Sequence, residues 1–464
     1  MEWNRVPTRL QEANNQLPSL VREMEKRVSY AHVLLSRNSG LQITLDDREQ
    51  KVTDVEPSQG IVLSAWNGNY FEEMAASDLN KSRLSSMARE LASSLQPAPG
   101  ADLDPGPPLQ RHWATQQQKD PTLMSPRDKL SLCQDLHQRT RSLDPHIVNV
   151  QVRYSERCES RAFASRTRLL SQNVLRLSLI LLVVVTDGQR VQYDWLSKEG
   201  TGGLELLDIT DLELRDLCSR AVALLTAEKV APGMYDVVCS PDVSGVIAHE
   251  AFGHGVELDM FLKDRARSRQ YLGKAIASPL VTIVDDPSYP GGHGTYFFDD
   301  EGQVASPTYI IRDGVFNQGL SDMYSSHRLS MPHTANGRRE SYQRKGYVRM
   351  SNTFFARGAT SLDDLIAGVG HGIYLNKTSS GMEDPKGWGM QVTSQYGEEI
   401  RNGKLTGRLF APVGITGYVP DILQSVCAVG DDFVLSGGTC GKGHKEWVPV
   451  SSGGPHLRLK ARLG

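Results

Sequence analysis

The stretch that decides how this chain is read is VIAHEAFGHGVE, residues 246–257, which sets a histidine, a glutamate and a second histidine close together. Helices bring two histidines to one metal ion when they stand four apart, because such residues lie only about 40° apart around the axis. His249 and His254 stand five apart, which in a regular helix turns them about 140° from each other. A π-bulge, one extra residue in a turn, restores the alignment, and such bulges concentrate at functional sites. Gly253 and Gly255 flank the second histidine and permit that distortion. Upstream, Ser240 and Pro241 give a helix start ahead of SGVIAHEAF. The plain alternative is coincidence, two of twelve histidines in a 464-residue chain meeting beside glycines, since the spacing is not the H-E-x-x-H of zinc proteases.

If the histidines hold zinc, Glu250 stands where a general base is needed. Zinc lowers the pKa of its bound water, and a carboxylate in reach takes the proton and returns it to the leaving amine. A catalytic zinc takes three protein ligands and keeps one position open. Glu257 and Asp259 are candidates just beyond His254. A distant one is Cys440 in SGGTCGKGHKEW, where Gly437, Gly438 and Gly441 allow close approach and Lys442 favours the thiolate. His444 is a further candidate, and a small residue in a turn is the plain reading of Cys440. The residues alone leave these choices open.

The surroundings are those of a globular protein, 39% hydrophobic and 23% charged, long enough for two or three domains. A net charge of -3 gives no electrostatic reason for a nucleic-acid or acidic-membrane partner. LILLVVV, residues 179–185, is too short to cross a bilayer and reads as a buried strand. MEWNRVPTRLQEANNQ lacks the apolar core of a secretory segment, and the six cysteines are scattered with no CxxC pair. These features imply reduced thiols in a cytoplasmic protein, with the five cysteines other than Cys440 as small buried hydrophobes.

The fold class read from the pattern is α+β, an N-terminal helix and sheet region followed by a β-rich, largely antiparallel C-terminal domain. Residues 1–96 form a first α+β segment, with a helix spaced on Leu10, Leu17, Val21 and Met24. Short strands at AHVLLSR, GLQITLDD and GIVLSAWNG follow, then a helix capped by Ser77 or Asp78. Residues 97–124, dense in Pro and Gly, read as a linker or exposed loop. Residues 125–232 form a second α+β segment, opening on a helix with Ser125 as cap and Pro126 in its first turn. Residues 233–464 are the β-rich domain. The terminal HLRLKARLG alternates and reads as an edge strand rather than a nucleic-acid patch.

With these residues in view, the chain resembles the TldD/PmbA family of metallopeptidases. The likeness runs through SPDVSGVIAHEAFGHGVE (240–257), GTYFFDDEG (294–302), RMSNTFF (349–355), DLIAGVGHGIYL (364–375) and GGTCGKGHKEWVPVSSGGP (437–455), in one order over roughly residues 205–460. The resemblance implies that His249, His254 and Cys440 hold Zn2+ with Glu250 as base. It implies a TldD-type, zinc-bearing subunit acting on small or unfolded peptides, as a homodimer or with a motif-free paralogue. The family also carries an old label as a modulator of DNA gyrase. Two departures stand out. His444 occupies a place where glutamine is expected, which keeps a ligand swap open, and LNKTSSGMEDPKGWGMQV (375–392) is less glycine-regular, which bears on specificity.

Further residues are singled out. His371, between glycines, is a candidate to line the cleft and donate to an oxyanion, against a loop histidine bonded to backbone. Asn352 is a candidate for substrate contact. Asp299, Asp300 and Glu301 are candidates to support a metal-bound histidine, against a solvated turn. The reading reached is a zinc metallopeptidase that holds extended substrate along a strand edge. The alternatives are a non-catalytic zinc-binding regulatory partner and a zinc hydrolase of non-peptide amides.

Overall fold

The computed structural model describes residues 15–464 except Pro97, Pro99, Ala101 and Lys445, and leaves the side chain of Glu56 aside. Leu10 of the first expected helix, and the segment read as lacking a secretory core up to residue 14, lie outside the described residues.

The chain is α+β, and its N-terminal half is built on four long strands. These are β1 (Tyr30–Leu45), β2 (Gln50–Trp66), β5 (Ile147–Ala164) and β6 (Arg168–Thr186). With β3 (Phe71–Ala76), β4 (Leu109–Ala114) and β7 (Val191–Thr201) they make one seven-stranded sheet, ordered β3-β2-β1-β5-β6-β4, with β7 also on β6. Strands of sixteen to nineteen residues, against a usual five or six, carry two separate cores. Helices α1 (Leu17–Met24) and α2 (Lys81–Ser94) pack Leu20, Met24, Leu84 and Leu91 onto Val33, Leu35, Ile61 and Leu63. Helices α3 (Pro126–Arg141) and α4 (Asp211–Ala223) pack Cys133, Leu136, Leu214 and Leu217 onto Ile43, Leu179 and Leu181.

Several local expectations change here for identifiable reasons. AHVLLSR and GLQITLDD are one strand, because Gly40 serves a bulge rather than a turn. The register shifts between Asn38 and Gly40, and a Cβ at Gly40 would lie 2.1 Å from the Glu156 carbonyl oxygen. The cap of α2 is Asn80, whose side chain accepts from Ser82 N–H, not Ser77 or Asp78. Ser125 caps α3 as expected. The 97–124 stretch is more than a linker, since Leu109–Ala114 pairs in parallel with β6. Segments before and after it therefore share one sheet.

The C-terminal half is mainly strands. β8 (Gly233–Cys239), β15 (His371–Asp384), β16 (Gly389–Arg401), β17 (Lys404–Phe410), β18 (Val413–Tyr418), β19 (Ala428–Val429) and β22 (Leu457–Leu463) form a seven-stranded sheet. Its path runs β15-β8-β22-β18-β16-β17, and β16 also pairs with β15, so five strands close on themselves. β9 (Ile283–Asp285), β10 (Thr308–Arg312), β11 (Val315–Phe316), β14 (Asn352–Phe355), β20 (Val434–Lys442) and β21 (Glu446–Gly454) form a second sheet, ordered β11-β10-β9-β14-β21-β20. β22 is thus an inner strand between β8 and β18, not the expected edge. Its alternation reflects one face on the core.

Between these sheets lies α5 (Pro241–Phe252), buried on nearly every side. Its small residues let it sit close: a Cβ at Gly245 would fall 2.3 Å from the Gly453 nitrogen on β21. No disulfide joins the cysteines; five are buried and Cys427, expected inside, is exposed, its sulfur 3.1 Å from Arg458 Nε. No described helix is long and apolar enough to cross a membrane.

Candidate metal centre

β8 delivers the chain into α5 through Ser240, whose N–H donates to the Leu375 carbonyl at 2.9 Å. Pro241 takes the first turn, where no N–H is needed. Ser244 Oγ donates to the Pro455 carbonyl at 2.8 Å, tying the helix to the turn before β22. Only Asp242, Val246 and Glu250 on α5 are half-buried rather than buried. Spaced by four, they form one stripe, which with His249 opens on a cleft of about 300 Å³.

The two histidines meet by a break in the helix, not by the expected π-bulge. α5 ends at Phe252, Gly253 N–H closes on the His249 carbonyl, and a 3₁₀ turn runs from His254 to Val256. Tertiary contact leaves room only for glycine at the break: a Cβ at Gly253 would lie 1.9 Å from Met350 Sδ. The imidazole rings stand 5.2 Å apart, centroid to centroid, at 89°.

Cys440 completes the group from β20. Its Sγ lies 3.3 Å from His254 Nε2, and donor atoms of His249, His254 and Cys440 all fall within 4.8 Å of one another. The hairpin is held by Arg349, fully buried, which donates to the Cys440 carbonyl and, at 3.1 Å, to that of Glu446. Burial opposes ionisation of the thiol, but His254 and His249 beside it hold it well below the ordinary range. Burial likewise opposes a charged His254, yet Cys440 and Glu257 hold it well above its ordinary value. His249 Nδ1 is buried with no hydrogen-bond partner among the described residues. Two imidazoles, a thiolate-prone cysteine and an orphaned ring nitrogen fit a zinc-type ion.

Behind His254, Glu257 Oε2 lies 3.3 Å from Nδ1 and accepts from Lys442 Nζ at 2.9 Å. Burial resists the charge on Glu257, but Lys442 and His254 bring it down to about 2. Lys442 also donates to Asp259 at 2.7 Å and to the Val348 carbonyl at 3.0 Å. So the lysine expected to favour the thiolate instead neutralises two carboxylates, and those carboxylates stand behind the donor group rather than in it. A carboxylate of this kind fixes the ring and its tautomer. Glu257→Gln is expected to weaken metal binding about 10- to 100-fold, measured by competition with a chelator.

The other candidates lie elsewhere. His444 is exposed at the tip of the β20–β21 hairpin, its N–H donating to Glu446. His371 opens β15, exposed against Tyr235, ten positions or about 30 Å of strand from the cleft residue Gly381. Asn352 is fully buried, donating to the Asp286 carbonyl and Thr295 Oγ1 and accepting from Gly294 N–H. In the acidic turn Asp299 and Asp300 are buried and Glu301 is half-buried, so it is not a solvated turn. Asp300 pairs with Arg161 and accepts from Arg339 N–H, away from the histidines.

Some cleft residues escaped sequence reasoning. Gly381 makes room for Glu250, whose Cγ would lie 2.7 Å from a Cβ there. Outside the cleft, beside the His254 turn, Glu383 Oε1 would lie 2.8 Å from a Cβ at Gly255; both its oxygens are buried without partners among the described residues, and burial pushes it up to about 9. Both belong to the 375–392 segment that departs from the family pattern, which was the available signal. Trp195 and Ser197 reach the cleft from β7, and nothing in the sequence ties β7 to it.

Residues 232–462 match the model of the PmbA/TldA metallopeptidase C-terminal domain. A protein of Methanothermobacter thermautotrophicus named a metalloprotease is 32% identical over 450 residues, covering 96% of this chain and 97% of the relative. A Saccharolobus solfataricus protein named a zinc metalloprotease TldD homolog is 29% identical over 333 residues, covering 70% and 74%. Among solved structures, TldE of Thermococcus kodakarensis shares the fold with a TM-score of 0.75 at 17% identity, covering 96% of this chain and 99% of that one. The chain belongs to the PmbA/TldD family of metallopeptidases.

Proposed function

We propose that this chain is a zinc-dependent peptidase acting on small or unfolded polypeptides. The observation that carries the reading is the convergence of His249, His254 and Cys440 donors within 4.8 Å, with Glu250 opening on the same cleft as His249. A zinc ion, when bound, supplies Lewis-acid chemistry that acidifies water and polarises a carbonyl. His249, His254 and Cys440 hold the ion, and Glu257 orients His254. Glu250 takes a proton from the attacking water and passes it to the leaving amine nitrogen.

Two strand edges border the cleft and bear on substrate choice. Among the described residues, β20 pairs only with β21, and β15 beyond Thr378 pairs only with β16. Ser436–Thr439 of β20 and Thr378–Gly381 of β15 both line the cleft. An extended peptide offers free N–H and C=O groups to such an edge, while a folded protein has spent its own on internal pairing. We read the working assembly as a dimer, with a second copy or with a motif-free relative of the TldE kind.

The test compares one disulfide-containing substrate protein in its native and its reduced, unfolded forms. Cleavage of the unfolded form alone is expected. Equal cleavage of both removes the strand-pairing account, and turnover of small non-peptide amides alone assigns the amide-hydrolase reading instead.

A further inference from the structure

A second convergence of donors lies outside the cleft. Ligand atoms of Asp299, Glu301 and His333 fall within 4.8 Å of one another. Glu301 and His333 also line a cavity of about 380 Å³, to which the N-terminal sheet contributes Tyr30 and Arg168. His333 Nε2 is buried without a hydrogen-bond partner, 3.6 Å from Glu301 Oε2, which is beyond hydrogen-bond reach. Tyr30 is 1% exposed and faces the same cavity, and its hydroxyl has no hydrogen bond among the described residues. His333 Nε2 thus ends without a hydrogen bond at the cavity that Tyr30 also lines, and buried polar groups ordinarily find a partner.

The carboxylates are held as metal-binding carboxylates are, by other donors. Asp299 accepts N–H groups from Glu301, Gln303 and Gly337 at 2.9–3.0 Å. Glu301 Oε2 accepts from Met323 N–H at 2.6 Å. These bonds fix each group while leaving lone pairs over. Asp322 is half-buried beside them as the cap of helix Met323–Leu329, and Arg168, which donates to Gln303 Oε1 at 3.1 Å, brings positive charge to the same cavity.

We propose that Asp299, Glu301 and His333 bind a second divalent cation, of the zinc or manganese type. An imidazole beside two carboxylates disfavours calcium and magnesium, which prefer oxygen alone, and the absence of a thiolate separates this set from the Cys440 group. The ion pins the 299–301 turn to residue 333, and the Tyr30 hydroxyl faces the space beside it.

Cobalt(II) titration of the metal-stripped full chain tests this, because only a cobalt–thiolate site gives a near-ultraviolet charge-transfer band. Wild type is expected to take up two equivalents, with the band saturating at one. His333→Gln and, separately, Glu301→Gln keep the band and bind one. Cys440→Ser loses the band and still binds one. His333→Gln is the gentler variant, since Nε2 makes no hydrogen bond, and circular dichroism establishes that each variant folds. Uptake of one equivalent by wild type, none by Cys440→Ser, or two by both His333→Gln and Glu301→Gln overturns the proposal.

Discussion

Glu250→Ala is expected to keep its zinc and lose about 10²- to 10⁴-fold in peptidase activity, the range general acid–base catalysis contributes. The two effects separate because Glu250 stands apart from the donor group: the convergence at 4.8 Å comprises His249, His254 and Cys440. Glu250 is half-buried on the cleft stripe of α5, so its removal opens no core cavity, and alanine is the better helix former. Elemental analysis for zinc, alongside hydrolysis of a reduced, casein-like substrate, reads both quantities on one sample. Zinc lost together with activity makes Glu250 a ligand. Activity retained removes it from the mechanism. Zinc bound but no cleavage by either protein points to a missing partner chain.

Cys440→Ser is expected to lower zinc affinity by more than about 100-fold, exceeding what the loss of a supporting residue costs, and to abolish hydrolysis with it. Cys440 is 4% exposed, and its sulfur is held toward the thiolate by His254 and His249 after burial has opposed it. A serine hydroxyl stays protonated there and is a poor zinc ligand. The fold is expected to hold, because Arg349 grips the hairpin through backbone carbonyls that the substitution leaves in place. Chelator competition measures the affinity, and thermal melting with the metal stripped measures the fold. Unchanged affinity would transfer the third position to another residue.

The motif was legible because its odd spacing sat between two glycines, but the way the spacing closes was not. A π-bulge and a helix break answer the same geometry, and the Met350 side chain that packs on Gly253 at the break lies far off in sequence. Cys440 lies 186 positions from His254, so the residues alone left it level with His444, and only the family likeness separated them. Asn352 looked like a substrate contact, and Asp300 like a support for a metal-bound histidine, because their partners are far off in sequence. Asp300 is satisfied by Arg161 at a separation of 139 and Asn352 by Asp286 at 66. The α+β order and the buried strand at 179–185 were readable from local pattern. The single N-terminal sheet was not, because strand pairing across residues 97–124 leaves no local trace.

The inner position of β22 has a kinetic consequence. Leu457 pairs with Cys239 and Leu463 with Gly233, so the closed ring of strands joins segments more than two hundred residues apart. Contacts of such range make for slow, late folding. As the chain leaves the ribosome, the helix bearing His249 and Glu250 emerges long before the strands that enclose it and before Cys440. The topology therefore completes the surroundings of the motif helix only after strands more than two hundred residues later have paired.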